Sequence, residues 1–468
     1  MQTQTATVDA PRPLRRTAPG PKGKLFTGVL GNLRCAKLKT LIDLVQTYGD
    51  VVRMPVVIDM YLVTHPDLVK HVLQDNHLNY GKGFNYRRME PFLGKGLLTA
   101  EGDEHLRNRR LVQPAFHRQR IAGFADLMAG HTARMLTRWE PGTKLDLHGE
   151  MMKLTLAVVG DALFSTDISA RADDVGRALC DVLEITNHRF ESIFVAPKFF
   201  PSPQNLRFRR SLAVLDTLVN DLVSARRKGG EVKQDLLAML MEARTEDGNE
   251  GMSDRQLRDE VMTMVLAGHE TTANALTWAF YLLSTHPEVE RRLVAEVGAA
   301  LEGRTPTLGD LPKLPYTKQV LEETMRLYPP AWAVGRQTIQ DDEIGGYHVP
   351  KGTDVMLFPF LTHRDARFWD NPEGFDPDRF TPEAVAKRHK FAYFPFAAGP
   401  RMCIGSAFAM MEMQLVLAMV VQKFRVDLIA GQVVIPEPRV TLRPKNGLFV
   451  TLKKRALVPG HADQPVCG

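Results

Sequence analysis

Residues 396–405 read Phe396-Ala-Ala-Gly399-Pro-Arg401-Met-Cys403-Ile-Gly405, and this stretch decides how the rest of the 468-residue chain is read. It sets a cysteine between glycines on a loop that opens onto an apolar helical pattern at about 404–422. Cys403 therefore lies near a helix N-terminus, where backbone N–H groups and the helix dipole favour a thiolate. Gly399 and Gly405 allow a tight turn and the close approach of another body, and Arg401 adds a fixed positive charge. The arrangement suits a thiolate held as a metal ligand. Taken alone, a buried apolar cysteine beside a turn is the commoner outcome.

The other cysteines, Cys35, Cys180 and Cys467, are too few and too scattered for a disulfide framework, which points to a reducing, cytoplasmic setting. No Cys-x-x-Cys pair exists to hold zinc or an iron–sulfur cluster. Moving outward, Glu323-Thr-Met-Arg326 and Phe375-Asp-Pro-Asp-Arg379-Phe precede the loop in a region punctuated by Gly and Pro, which reads as short strands and turns. Further upstream, Ser253-Asp-Arg-Gln256 is a capping box, and the pattern behind it predicts a helix over 254–285, about 32 residues or roughly 48 Å. Its second half is too apolar to lie on a surface and should cross the core.

Hydrophobic residues make up 44% and charged residues 24%, which excludes disordered, collagen-like and coiled-coil chains. The formal charge of +6 does not indicate nucleic-acid binding. It lies in residues 1–24, where Arg12, Arg15, Arg16, Lys22 and Lys24 face only Asp9, and in 453–468, where Lys453, Lys454 and Arg455 face only Asp463. The expected organisation is a disordered or extended basic lead-in (1–24), one mostly α domain with a smaller β-rich part (25–455) and a short tail (456–468). No apolar run suggests a signal peptide or a membrane span.

The loop at 396–405 matches every fixed position of F-x-x-G-x-R-x-C-x-G, and with the Glu-x-x-Arg pair and the Arg379 segment in order it resembles the cytochrome P450 family along essentially the whole chain. The resemblance implies that fold: a long central helix across the haem and a cysteine-ligand loop. It implies haem b as cofactor, with the Cys403 thiolate on the iron. Glu323, Arg326 and Arg379 would form a buried triad serving folding and haem retention. Phe396, Gly399, Arg401 and Gly405 would shape the cofactor loop, Ala267 and Gly268 would let the ligand approach the helix, and His105, Arg109, Arg336 and Arg401 would meet the propionates. His105 departs from the Trp common at its position.

Ala267-Gly268-His269-Glu270-Thr271-Thr272 lies within the long helix, where small residues admit a ligand and a Thr hydroxyl can bond a preceding carbonyl and open the helix locally. By resemblance, Glu270 and Thr271 would organise water and deliver protons to the oxygen being activated, while His269 reads as a packing residue. The substrate pocket would draw on Phe84, Tyr86, Phe92 and Leu93 in an 80–100 loop, on Phe190 and Phe194, on Met264, and on Ala331, Trp332, Ala333 and Val334. That apolar set fits a lipophilic terpenoid, fatty acid or similar skeleton.

Residues 105–125 carry Arg107, Arg109, Arg110, Arg118 and Arg120 without an acidic residue, a surface suited to an acidic partner. No flavin- or iron–sulfur-type motif follows Cys403, so electrons would come from a separate ferredoxin and ferredoxin reductase docking near this segment. The expected activity is a monooxygenase that hydroxylates or epoxidises its substrate with O₂. A peroxide-driven peroxygenase or an electron-independent isomerase, and a non-catalytic haem sensor, are the alternatives, and the intact Glu270-Thr271 pair argues against them.

Overall fold

The computed structural model of the chain describes residues 16–22, 36–55, 59–165, 169–191, 197, 200–228, 235–244 and 251–455. The central helix spans Asp254–Thr285, and both halves of its capping box form: Gln256 N donates to Ser253 Oγ at 3.3 Å and Ser253 N to Gln256 Oε1 at 3.0 Å. From Ala273 to Phe280 almost nothing reaches solvent, so the helix crosses the core, packed against Leu147–Phe164, Pro203–Arg227, Pro315–Leu327 and Ser406–Lys423. The last of these follows the cysteine loop. It starts later than the apolar pattern because Ile404 and Gly405 form a turn.

The β-rich texture at the start and in the last third belongs to one five-stranded sheet, in the order Val51–Pro55, Asp59–Val63, Asp354–Leu357, Val334–Thr338, Tyr80–Lys82. Its single parallel pairing sets Tyr61 beside Val355 and so joins the two halves of the chain. At the other edge Lys82 stands directly opposite Arg336. A second sheet pairs Phe449–Lys454 with Lys144–Asp146 and Phe424–Leu428. Between its last two strands, a hairpin of Pro436–Pro438 and Leu442–Pro444 reaches the central helix, where Trp278 Nε1 donates to Leu442 O at 3.0 Å.

Residues 16–22 run extended beside the first strand, with Arg53 N donating to Pro19 O at 2.8 Å. The remaining lead-in, Cys35, and the tail at 456–468 with Cys467 lie outside the described residues. The segment expected as a loop at 80–100 is partly helical, Phe84–Leu93, and stops at Gly94, whose φ of 59° suits glycine.

Glu323 and Arg326 are both fully buried. Arg326 Nε and Nη2 donate to the two carboxylate oxygens at 2.6 and 2.8 Å, and its remaining N–H groups reach the carbonyls of His363, Pro372 and Gly374 at 2.9, 2.6 and 2.7 Å. Asp376 N donates to Glu323 Oε1 at 2.9 Å. This pair gathers the backbone of 363–376 onto the helix Pro315–Leu327. Arg379 is the peripheral member, with Nε 3.5 Å from Glu323 Oε1. The link onward to the cysteine loop runs through His363, whose Nε2 accepts from Phe394 N at 2.9 Å.

Candidate active site

The cysteine loop is closed by Cys403 N donating to Phe396 O at 2.9 Å. Gly399 has a φ of 69°, and a Cβ there would meet Leu73 O at 1.9 Å, so both the turn and the close approach demand glycine. Gly405 is needed for neither: its φ is −86°, and a Cβ would rest 3.7 Å from Phe116. Its backbone N–H bonds Cys403 instead. Burial raises the Cys403 thiol, and the Gly405 N–H and the Arg109 guanidinium oppose that rise.

Cys403 opens into a cavity of about 710 Å³ rather than onto bulk solvent; of the two cysteines among the described residues, only it lines this space. The same cavity is lined by Ala267, Gly268, Glu270 and Thr271 of the central helix and by Phe396, Arg401 and Gly405. Gly268 also serves packing, because a Cβ would sit 3.0 Å from Val159 on the neighbouring helix. Thr271 Oγ1 donates to Ala267 O at 2.6 Å, the expected bond, but the helix stays continuous through it. Burial raises the Glu270 carboxyl, opposed by the Thr441 hydroxyl, Arg443 and Arg439. His269 is not part of the cavity wall. It is buried against Met152, with its pKa lowered to about 4 by burial, though its Nδ1 finds no partner.

The cavity's charged wall gathers His105, Arg109, Arg336 and Arg401, as expected, and adds Lys82. Arg109 Nη1 donates to Met402 O at 2.7 Å, binding this wall to the cysteine loop. Like charges placed directly opposite in a ladder repel, yet Lys82 and Arg336 are such a pair and both are buried. Burial, then Arg336 and Arg401, pushes the Lys82 amine well below its usual value, with Glu101 opposing. His105 falls to about 4, through burial and then the surrounding Arg401, Lys82, Arg109 and Arg336. Nitrogen donors gathered in this number, with Lys82, His105 and Arg336 buried and Arg109 and Arg401 partly so, call for anions, which would also restore the charge on Lys82 and His105. The two carboxylates of a haem fit that need, and Cys403 supplies the thiolate. Lys82 lacks any motif of its own; the flanking Gly81 and Gly83 were the only signal in the chain.

Of the expected pocket residues, Phe84, Tyr86, Met264, Ala331, Trp332, Ala333 and Val334 line the cavity. Phe92 and Leu93 do not. The helix Phe84–Leu93 turns its last residues into the core, where both are buried. Phe194, and the side chain of Phe190, lie outside the described residues. Met89, Leu97, Leu98 and Phe116 join the wall unannounced by any motif.

A sequence profile of the family described as Cytochrome P450 matches residues 18–452. The chain belongs to the cytochrome P450 family. It is 38% identical to cyclooctatin synthase of Streptomyces melanosporofaciens over 82% of this chain and 84% of that protein. It is 36% identical to cyclooctat-9-en-7-ol 5-monooxygenase of the same organism (79% and 81%) and 34% identical to pentalenene oxygenase of Streptomyces avermitilis (85% and 87%). The crystal structure of the cytochrome P450DA haem domain superposes with a TM-score of 0.88 at 26% identity, covering 95% of this chain and 99% of that one. This P450 is thus an oxidoreductase with a cysteine-ligated haem, a monooxygenase that uses O₂, a substrate and redox partners. No helix among the described residues is long and apolar enough to cross a membrane.

Proposed function

We propose that this P450 hydroxylates or epoxidises a lipophilic terpenoid, with Cys403 as the haem thiolate. The observation that carries the reading is the joining of Cys403, a buried cation wall, the Glu270-Thr271 pair and a largely apolar wall in one cavity. When bound, the haem supplies oxygen activation. The chain's own residues do the rest. Lys82, His105, Arg109, Arg336 and Arg401 hold the propionates. Phe84, Met264, Trp332 and Val334 exclude water and orient an apolar substrate. Glu270 and Thr271 hold and pass protons at the carboxyl and Oγ1. A terpenoid is favoured by the pentalenene and cyclooctatin enzymes among its relatives. A single domain over 25–455 carries this site, between a basic lead-in at 1–24 and a short tail at 456–468.

Electrons come from a ferredoxin and its reductase, docking beside the cysteine loop. The surface for this is smaller than the run of arginines in 105–125 suggests. Arg109 lines the cavity and Arg107 reaches Gly251 O at 3.3 Å, while Arg110, Arg118 and Arg120 lie on the exposed surface. Exposed Met402, whose carbonyl accepts from Arg109, brings the cysteine loop to the same surface.

Cys403→Ala removes the red-shifted absorption of the reduced, carbon monoxide-bound protein, and Cys180→Ala leaves it unchanged. The same spectrum in wild type and Cys403→Ala refutes the assignment. Spectral titration with terpene hydrocarbons and alcohols tests the substrate class; absence of any spectral shift across that panel refutes it.

A further inference from the structure

Thr441 sits at the tip of the hairpin Pro436–Pro444, far in sequence from the central helix, yet its side chain is buried against that helix, with Oγ1 2.9 Å from the amide of Asn274, one turn beyond Glu270. The tip is held by side-chain hydrogen bonds from four other parts of the chain, three donated and one accepted. Asn187 Oδ1 accepts from Val440 N at 2.7 Å, Trp332 Nε1 donates to Arg439 O at 2.8 Å, Lys37 Nζ to Pro438 O at 3.1 Å, and Trp278 Nε1 to Leu442 O at 3.0 Å. Leu442 N also donates to Pro330 O at 3.0 Å. So many bonds to one short turn fix where Thr441 Oγ1 lies.

The hydroxyl's direction follows from its partners. Asn274, one helical turn beyond Glu270, donates from Nδ2 to Thr441 Oγ1 at 2.9 Å, and its Oδ1 is 3.0 Å from His148 Nε2. An amide that donates to the hydroxyl leaves the hydroxyl's proton for another acceptor. The acceptor on the same helix face, one turn before Asn274 and on the same cavity wall as Thr441, is the Glu270 carboxylate. Read from the outside, donors run from His148 to Asn274, Thr441 and Glu270.

We propose that Thr441 is a positioning residue for Glu270: it donates its hydroxyl proton to the carboxylate, holding that carboxylate ionised and aimed until a proton is needed at Thr271. The proposal rests on the role given to Glu270 above. The other charged and titratable groups around the acid are Arg439 and Arg443 on the same hairpin, both paired with Glu437 at 2.7 and 3.2 Å, together with the neutral Cys180 on the helix Ser169–Glu191, His148 at the start of Leu147–Phe164, and the neighbouring His269. Both guanidiniums favour the ionised acid, so Thr441 adds to them, and burial works against all three.

The test is an infrared titration of the carboxyl C=O band in the haem-loaded enzyme, the band being identified by its loss in Glu270→Gln. Thr441→Val, isosteric but without the donor, moves the ionisation midpoint of that band upward by about one pH unit or more, the scale of a hydrogen bond to a charged group. Thr441→Ser returns it. The pH profile of product formed per electron pair shifts in the same direction. A midpoint unmoved by Thr441→Val, or a Thr441→Ser that behaves like Thr441→Val, overturns the proposal while leaving the role of Glu270 standing. Wild-type coupling in Glu270→Gln overturns both.

Discussion

Replacing Glu323 by Met leaves the Arg326 guanidinium at zero exposure with no carboxylate, among the further cations Arg364, Arg379 and Arg388. Three carbonyl acceptors remain, but they do not neutralise the charge. Breaking a buried pair from one side costs about 3–5 kcal/mol. The entropy of unfolding, about 2 cal/mol/K per residue, amounts to roughly 1 kcal/mol/K for a chain of this length, so the melting midpoint falls by about 3–5 °C. Glu323→Met/Arg326→Met removes the charge together with its partner and is less destabilised than the sum of the single variants. The control is Arg292→Ala, which breaks an equally well-formed bidentate pair with Asp378 (2.8 and 2.8 Å) on the surface and shifts the midpoint by about 1 °C or less. Midpoints followed by circular dichroism and by the haem absorption report folding and retention together. A Glu323→Met midpoint no lower than that of Arg292→Ala, or a double variant as unstable as the summed singles, refutes the reasoning.

Thr271→Ala removes a hydroxyl bonded only to its own helix, at Ala267 O, so haem content and melting midpoint hold while electrons divert to hydrogen peroxide; unchanged coupling removes Thr271 from the mechanism. His105 titrates at about 4 in the fold against 6.5 unfolded, so between those values the unfolded chain binds the extra proton and stability falls as pH drops. Haem propionates lift that depression, which makes the haem-free protein the more acid-sensitive form. Melting across this window in wild type and His105→Gln checks it, and identical slopes in the two haem-free proteins contradict it. Reduction by a ferredoxin slows as ionic strength rises and in Arg118→Glu/Arg120→Glu; a rate indifferent to both refutes the docking surface.

The clearest sequence features were those whose physics is local. The capping box at Ser253 and the Pro after His286 set the ends of the central helix without help from the rest of the molecule. The loop 396–405 carries its own turn chemistry, and Gly399 proves indispensable for the reason read from the chain. Phe92 and Leu93 misled because an aromatic or aliphatic side chain looks the same whether it faces a cavity or a core, and only the rotation of the helix Phe84–Leu93 separates the two. The five arginines of 105–120 likewise divide between cavity and surface according to which side of the helix Gly102–Val112 and its following turns each occupies.

By itself, then, the sequence determined the haem-thiolate chemistry, because a ligand cysteine, its glycine and its arginine must be neighbours on one short loop. Tertiary structure alone added Lys82 to the cation wall and decided the setting of the acid. Lys82 reaches Arg336 through strand register, and Thr441 reaches Asn274, one turn beyond Glu270, through a hairpin more than 160 residues away in the chain. Charge and hydrogen bonding act over a few ångströms of space whatever the separation along the backbone, so a pattern of neighbours in sequence cannot display them.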